Sequence, residues 1–377
     1  MQRILIVNGP NLNLLGLREP QIYGFDTLHD LETDLIAFGA SLDLEIDTFQ
    51  SNHEGELIDR IQDARTSADG IVLNGGALTH YSYALYDALV GVDLPSIEVH
   101  ISNIYAREDW RRHSVTAPAS LRTIYGRGTR GYTDAILALQ RLTEYPPASA
   151  SYGEDASQIV DVRHPSSGGD RLAVLIHGGF WRDPWHRDTI DGLAIDLTHD
   201  GWVSANVEYR RIGSGGGWPD TADDVVSGID HVIEEHDPDH VALVGHSAGG
   251  QLALWAAAAM PDTIDVAVSL AGVTDLHRGH ELDLGEGAVA EFMGGSPEEV
   301  PGLYTEASPM HATFRGRQII VHGTADDRVP AAMSRTYVDA MTATGIDATL
   351  IELDDVDHFE VIDPTHEAWQ RTKTLVG

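Results

Sequence analysis

Short apolar runs alternate with amphipathic stretches along the whole chain. Residues 3–8 (RILIVN) predict a buried strand, and over 27–39 Leu28, Leu31, Leu35 and Ile36 fall on one helical face. Residues 42–49 alternate as a strand does. Helices are then expected over 55–66, 79–90, 105–112 and 131–143, and strands over 70–74, 95–99 and 121–125. This order predicts an α/β fold with a doubly wound parallel sheet. Residues 145–158 (YPPASASYGEDASQ) break the pattern with two prolines, small residues and no periodicity, which is linker composition. Antiparallel strands over 150–165 opening a second domain are the alternative. From 171 the pattern restarts in RLAVLIHGGFW, VSANVEYR, VALVGHSAGGQLALW, DVAVSLAGV and RQIIVHGTADD. The expected organisation is a domain over 1–145, a linker over 146–158 and a second domain over 159–377.

A chain of 377 residues is long enough for two cores, and 42% hydrophobic residues is ordinary for globular protein. No apolar run reaches the length of a membrane span. The start, MQRILIVNG, enters a strand without a signal-peptide pattern, so a cytoplasmic protein is expected. Cysteine is absent, which excludes disulfides, thiolate metal sites and a cysteine nucleophile. With 59 acidic against 24 basic residues the formal net charge is −35, which should repel nucleic acid and anionic membrane. The acids are scattered, as on a solvated surface. Lys373 is the single lysine, so Schiff-base chemistry is not expected.

Three polar clusters follow strands of the first half: Asn8 to Asn13, Asn74 to His80, and His100 to Ser102. In open parallel sheets ligands bind beyond the carboxyl ends of strands, so these clusters should converge. With NGPNLNLLG, REPQIYG, FQSNHEGELIDRI, LNGGALTHYS, EVHISN and AREDWRRHS in order, residues 1–142 resemble type II 3-dehydroquinate dehydratase. The resemblance implies a flavodoxin-like fold, no cofactor, no metal and a homododecamer built from trimers. The implied reaction is anti loss of water from 3-dehydroquinate to give 3-dehydroshikimate, through an enolate. Tyr23 is then the base. A phenol ionises near pH 10, so it needs a cation, and Arg18 on the same loop or Arg107 supplies one. Asn11, through a held water, steadies the enolate. His100 protonates the leaving hydroxyl, and Glu98, two residues back on the same strand face, orients the imidazole. Asn74, His80, the Ile101–Ser102 backbone and Arg111 grip the substrate, and Asp87 reaches a neighbouring subunit's site. The loop 14–24, bounded by Gly16 and Gly24, has the make-up of a lid. His29, His53 and His113 carry no such pattern.

The second half contains a G-x-S-x-G elbow. In GHSAGG, Ser247 sits between an apolar strand and an alanine-rich helix, with Gly245 and Gly249 allowing the tight turn. Backbone N–H groups near Gly178 and Gly179 in HGGFW, with that of Ala248, would form an oxyanion hole. Asp326 and His358 follow later, in the order Ser–Asp–His. Residues 160–377 thus resemble an α/β-hydrolase of the esterase, peptidase and kynurenine-formamidase-like branch. Asp327 competes with Asp326 for the acid position, and the resemblance favours Asp326. Glu208, His177 and His246 read as scaffold. Trp181, Trp185 and Trp218 are assigned either to an aromatic acyl pocket or to core and surface, and the segment 275–310 to a cap.

The leading expectation is a cofactor-free dehydratase fused to a serine hydrolase acting on an ester or amide, a homo-oligomer with small-molecule substrates. One rival is a dehydratase carrying a catalytically silent hydrolase-fold module. Another is a flavodoxin-like nucleotide or flavin binder, against which the first loop lacks a glycine-rich phosphate cradle.

Overall fold

The protein is described by a computed structural model covering residues 2–17, 26–104, 107–111, 113–183 and 185–377. The chain divides into two compact units, 1–144 and 145–377.

The first unit is a five-stranded sheet of β1 (Gln2–Asn8), β2 (Leu44–Gln50), β3 (Gly70–Asn74), β4 (Ser96–His100) and β5 (Arg122–Tyr125), in the order β2-β1-β3-β4-β5. Every pairing is parallel. The apolar run of β1 is explained by burial on both faces. Ile4 and Ile6 pack with Leu31, Leu35, Ile136 and Leu139 on one side, while Leu5 and Val7 meet Leu57, Ile61, Leu85 and Leu89 on the other. The helix Leu28–Ser41 begins with a capping box between Thr27 and Asp30. The helix expected over 79–90 is divided. A 3-10 turn covers Gly76–His80, and Ser82 then caps a helix over Tyr83–Val92 by accepting from Leu85 N–H at 3.0 Å. The helix expected over 105–112 is not formed by its described residues, which hold only a 3-10 turn at Asp109–Arg111. There Arg111 N–H donates to the Glu108 carbonyl, three residues back, at 2.7 Å, the spacing of a 3-10 turn.

The second unit is an eight-stranded sheet. Its strands are β6 (Ala148–Ser151), β7 (Ile159–Arg163), β8 (Arg171–Ile176), β9 (Val203–Val207), β10 (His240–His246), β11 (Val266–Leu270), β12 (Arg317–Gly323) and β13 (Ala348–Leu353). They lie in the order β13-β12-β11-β10-β8-β9-β7-β6. β7 is antiparallel to both β6 and β9, and the remaining pairs are parallel. The expected linker 146–158 is therefore corrected. Ala148–Ser151 forms the edge strand of this unit, with Ser149 bonded to Asp161 at 2.5 Å. In both sheets the order of strand addition reverses at the centre, between β1 and β3 and between β8 and β10. Such switch points open a crevice at the carboxyl ends. No helix among the described residues is long and apolar enough to cross a membrane.

Candidate active sites

In the first unit, β1 and β3 end side by side with Asn8 paired in register to Asn74. The loops leaving them touch closely. Gly9 N–H donates to the Asn74 carbonyl at 2.8 Å, and a Cβ on Gly9 would fall 2.5 Å from the Gly75 carbonyl oxygen. The resulting crevice is lined by Pro10, Asn11, Leu12, Leu14 and Leu15 after β1 and by Asn74, Gly76, Ala77 and His80 after β3. His100, Ile101, Ser102, Ile104, Arg107 and Arg111, at and beyond the end of β4, complete it. Eight of the expected site residues thus share one hollow. Glu98 stands behind it, fully buried. Asp87 lies on the exposed side of the helix Tyr83–Val92, outside the crevice. Arg18 and Tyr23 lie outside the described residues.

His100 Nε2–H donates to Glu98 Oε1 at 2.7 Å. The second oxygen of Glu98 accepts from Ser114 Oγ at 3.0 Å and from Thr116 Oγ1. Three donors thus satisfy a carboxylate that burial would otherwise penalise. His80 Nδ1–H donates to the His113 carbonyl at 2.8 Å, its ring parallel to that of His100 with centroids 6.4 Å apart. Burial pushes the His80 imidazole down, and His100 and Arg111 add to this against the pull of the His113 carbonyl. Neutral His80 therefore keeps Nε2 as an acceptor. Trp110 meets His80 edge-on at 5.3 Å, and the Arg111 guanidinium lies 4.1 Å above the Trp110 ring. Glu108 gathers both cations, at 3.4 Å from Arg107 and 3.0 Å from Arg111.

Asn11 adopts a left-handed backbone (φ 69°), which asparagine tolerates, and its N–H donates to Asn52 Oδ1 at 2.9 Å. Asn74 Nδ2 donates to the hydroxyl of buried Tyr132 at 2.8 Å, and that hydroxyl donates to Asn8 Oδ1 at 2.7 Å. Tyr132, Asn52, Trp110, Ser114 and Thr116 were not marked by sequence spacing.

In the second unit Ser247 follows β10 directly and caps the helix Ala248–Ala259 with φ 55° and ψ −118°. This sharp turn needs its glycines. A side chain on Gly245 would strike the Gly249 carbonyl, and one on Gly249 the Ile176 carbonyl. The turn after β8 closes on the serine, because a Cβ on Gly178 would lie 2.8 Å from the Ser247 Cβ. Gly179 is left-handed at φ 108° and packs against Trp185. Ala248 opens a helix whose first N–H groups lack internal partners. The geometry therefore gathers Ser247, Gly178 and Ala248 at one switch point.

His358 Nδ1–H donates to Asp326 Oδ2 at 2.7 Å, while Asp326 Oδ1 accepts N–H groups of Arg328 and Val329, each at 2.8 Å. Burial opposes ionisation of Asp326, but hydrogen bonds from His322 and His358 outweigh it and hold the carboxyl well below its usual range. Asp327 is exposed and faces Arg328. His246 Nε2–H donates to the His358 carbonyl at 2.9 Å, tying the end of β10 to the histidine loop. Burial, aided by the neighbouring His358, pushes His246 down to about 3, so it stays neutral. Trp181 is wholly buried, stacked on Phe292 at 4.4 Å and bonded to Gln251. Trp218 is buried edge-on to Trp255. Only Trp185 of the three is exposed, and it stacks on Phe359 beside His358. Glu208 is a buried hub that accepts from His177 Nε2 at 2.9 Å, from two backbone N–H groups at 3.1 Å, and from Arg211.

The first unit thus pairs a flavodoxin-like sheet with a polar crevice built on a buried His–Glu pair, and the second has the architecture of an α/β-hydrolase. Residues 2–140 match the family Dehydroquinase class II, and residues 207–376 the Prolyl oligopeptidase family. A catabolic 3-dehydroquinase of Verticillium alfalfae is 55% identical over 134 residues, 36% of this chain and 89% of that protein. A 3-dehydroquinate dehydratase of Bacillus subtilis is 53% identical over 136 residues, 36% of this chain and 92% of that protein. Through its first unit the chain belongs to the type II dehydroquinase family. Among solved structures, esterase B from Lactobacillus rhamnosis is similar with a TM-score of 0.52 and 15% identity, covering 65% of this chain and 90% of that one. A truncated carbohydrate esterase from gut microbiota gives 0.51 and 18%, covering 61% and 95%. At these identities the likeness establishes the hydrolase fold alone.

Proposed function

We propose that the chain is a bifunctional enzyme. Its first unit dehydrates 3-dehydroquinate to 3-dehydroshikimate, and its second is a serine hydrolase of an ester or amide. The observation that carries the first assignment is His100 held on buried Glu98 at the wall of a crevice that also contains Asn11, Arg107 and Arg111. Tyr23, with Arg18 or Arg107 favouring its phenolate, removes the proton alpha to the ketone. The enolate oxygen is met by Asn11 through water. Because Glu98 holds His100 Nε2, the other ring nitrogen delivers a proton to the departing hydroxyl. Arg111 receives the substrate carboxylate as a guanidinium fork does. Neutral His80 accepts from a substrate hydroxyl, and Asn74 and the Ile101–Ser102 backbone complete the grip. No cofactor enters this chemistry.

In the second unit His358, oriented by Asp326, takes the proton of Ser247 as the serine attacks the acyl carbon. The Gly178, Gly179 and Ala248 N–H groups receive the oxyanion. We further propose a cytoplasmic homododecamer in which Asp87 completes a neighbour's crevice. The exposed Tyr83 and Val90, on the same helix as Asp87, support burial of that face against another subunit. The test of the function is ultraviolet detection of the conjugated enone formed from 3-dehydroquinate, followed by an acyl ester and amide panel on the same sample. No enone from fully folded protein would refute the first assignment, and no acyl hydrolysis the second.

A further inference from the structure

The turn that follows β8 is held by a carbonyl of its own. The His177 carbonyl accepts from Tyr209 Oη at 2.7 Å. In a planar trans peptide the N–H points opposite to the C=O. Fixing the His177 carbonyl therefore fixes the Gly178 N–H. The anchor is itself immobile. The His177 and Tyr209 rings stack with centroids 4.3 Å apart and 7° between planes, and both are fully buried. Glu208 closes the assembly, accepting from His177 Nε2 at 2.9 Å and from the Tyr209 N–H at 3.1 Å.

We propose that Tyr209 and Glu208 are positioning residues for acyl transfer: acting through His177, they aim the Gly178 N–H at the oxygen of the tetrahedral intermediate. The inference rests on the serine-hydrolase reading of Ser247. Neither residue touches the substrate. Oxyanion donors contribute only when their direction is preset, because reorienting them during the reaction would consume the stabilisation they provide. Burial, with the nearby Glu208 charge, raises the Tyr209 hydroxyl well above its usual range, so it remains a donor at any working pH.

The test uses the full chain and an activated aryl ester. Tyr209→Phe keeps the stacked ring and removes the donor. Its kcat should fall about tenfold or more while KM stays within about twofold, the signature of an interaction made in the transition state. Labelling of Ser247 by a fluorophosphonate should slow in parallel. Glu208→Gln should show the same split through His177. Tyr337→Phe removes an equally buried hydroxyl, bonded to Gln318 at 2.7 Å elsewhere in the unit, and should leave kcat unchanged. If the parent neither hydrolyses nor labels, the hydrolase reading fails and the proposal falls with it. If the parent does both and the folded Tyr209→Phe and Glu208→Gln proteins keep the parent kcat, the proposal alone is overturned, even where their melting temperatures drop. Should Tyr209→Phe not fold, Glu208→Gln decides on the same criterion.

Discussion

His100 Nε2 lies 2.7 Å from an oxygen of Glu98, whose other oxygen is occupied by Ser114 and Thr116. The pair fixes both the tautomer and the direction of the imidazole. Glu98→Gln retains the volume but replaces the charged acceptor that orients the imidazole with a neutral amide. Dehydratase kcat should then fall about tenfold to a hundredfold, within the range of general acid catalysis, with KM little altered. Initial rates on 3-dehydroquinate measure this, and an unchanged kcat would leave Glu98 no role in orienting the acid.

The approach of Gly178 to Ser247 gives a second expectation. A methyl group there would sit 2.7 Å from the His246 carbonyl and 2.8 Å from the Ser247 Cβ, both in the rigid elbow. Gly178→Ala should therefore displace the turn and lower ester hydrolysis by about a hundredfold, the scale of losing one oxyanion donor. Dehydratase rates should stay at the parent level. Normal hydrolysis by this variant would place the oxyanion hole elsewhere.

Acid should unfold the second unit early. His246 ionises near 3 when folded against 6.5 as a free side chain, so between these values the unfolded chain binds the extra proton and stability falls as pH falls. Glu208 adds to this between 4.5 and about 2. Its carboxylate, opposed by burial but held by His177 and Arg211, is protonated more readily once unfolded. Each group contributes roughly 1.4 kcal/mol per pH unit inside its window. Denaturant midpoints of this unit at pH 7 and pH 4.5 check the sign, and equal midpoints would contradict it.

Both sheets were legible in the sequence because parallel strands buried on two faces read as continuous apolar runs, as in β1 and β10. The crevice-lining residues that follow strands were legible for the same reason, since the strand ends locate them. β6 was not. Ala148–Ser151 is a short edge strand of small residues whose partner β7, not its own pattern, makes it a strand. The Ser114 and Thr116 contacts with Glu98 span 16 and 18 residues, and the Tyr132 contact with Asn8 spans 124, so no local spacing announces them. Likewise Trp181 and Trp185 sit four residues apart in sequence, yet one is core and the other faces solvent. Trp181 itself is left-handed at φ 57°, so the chain leaving it follows neither helical nor strand periodicity.

The net charge of −35 also has a measurable consequence. Acidic groups spread over the surface repel one another in the compact state more than in the expanded chain. Raising salt from about 0.1 M to about 1 M shortens the Debye length from about 10 Å to about 3 Å and should raise the melting temperature. Calorimetry in potassium chloride tests this, and a fall in melting temperature across that range would refute it.

On the bifunctional reading, the two catalytic sites of the one chain work independently. The most direct measurement assays 3-dehydroquinate dehydration, ester hydrolysis and fluorophosphonate labelling on one preparation each of the parent, Tyr23→Phe and Ser247→Ala. Sites without shared partners should respond separately. Tyr23→Phe should lose dehydration by at least about a hundredfold and keep hydrolysis and labelling. Ser247→Ala should lose hydrolysis and labelling and keep dehydration. A parent that lacks either activity, or a single substitution that removes both while the protein stays folded, would contradict that reading.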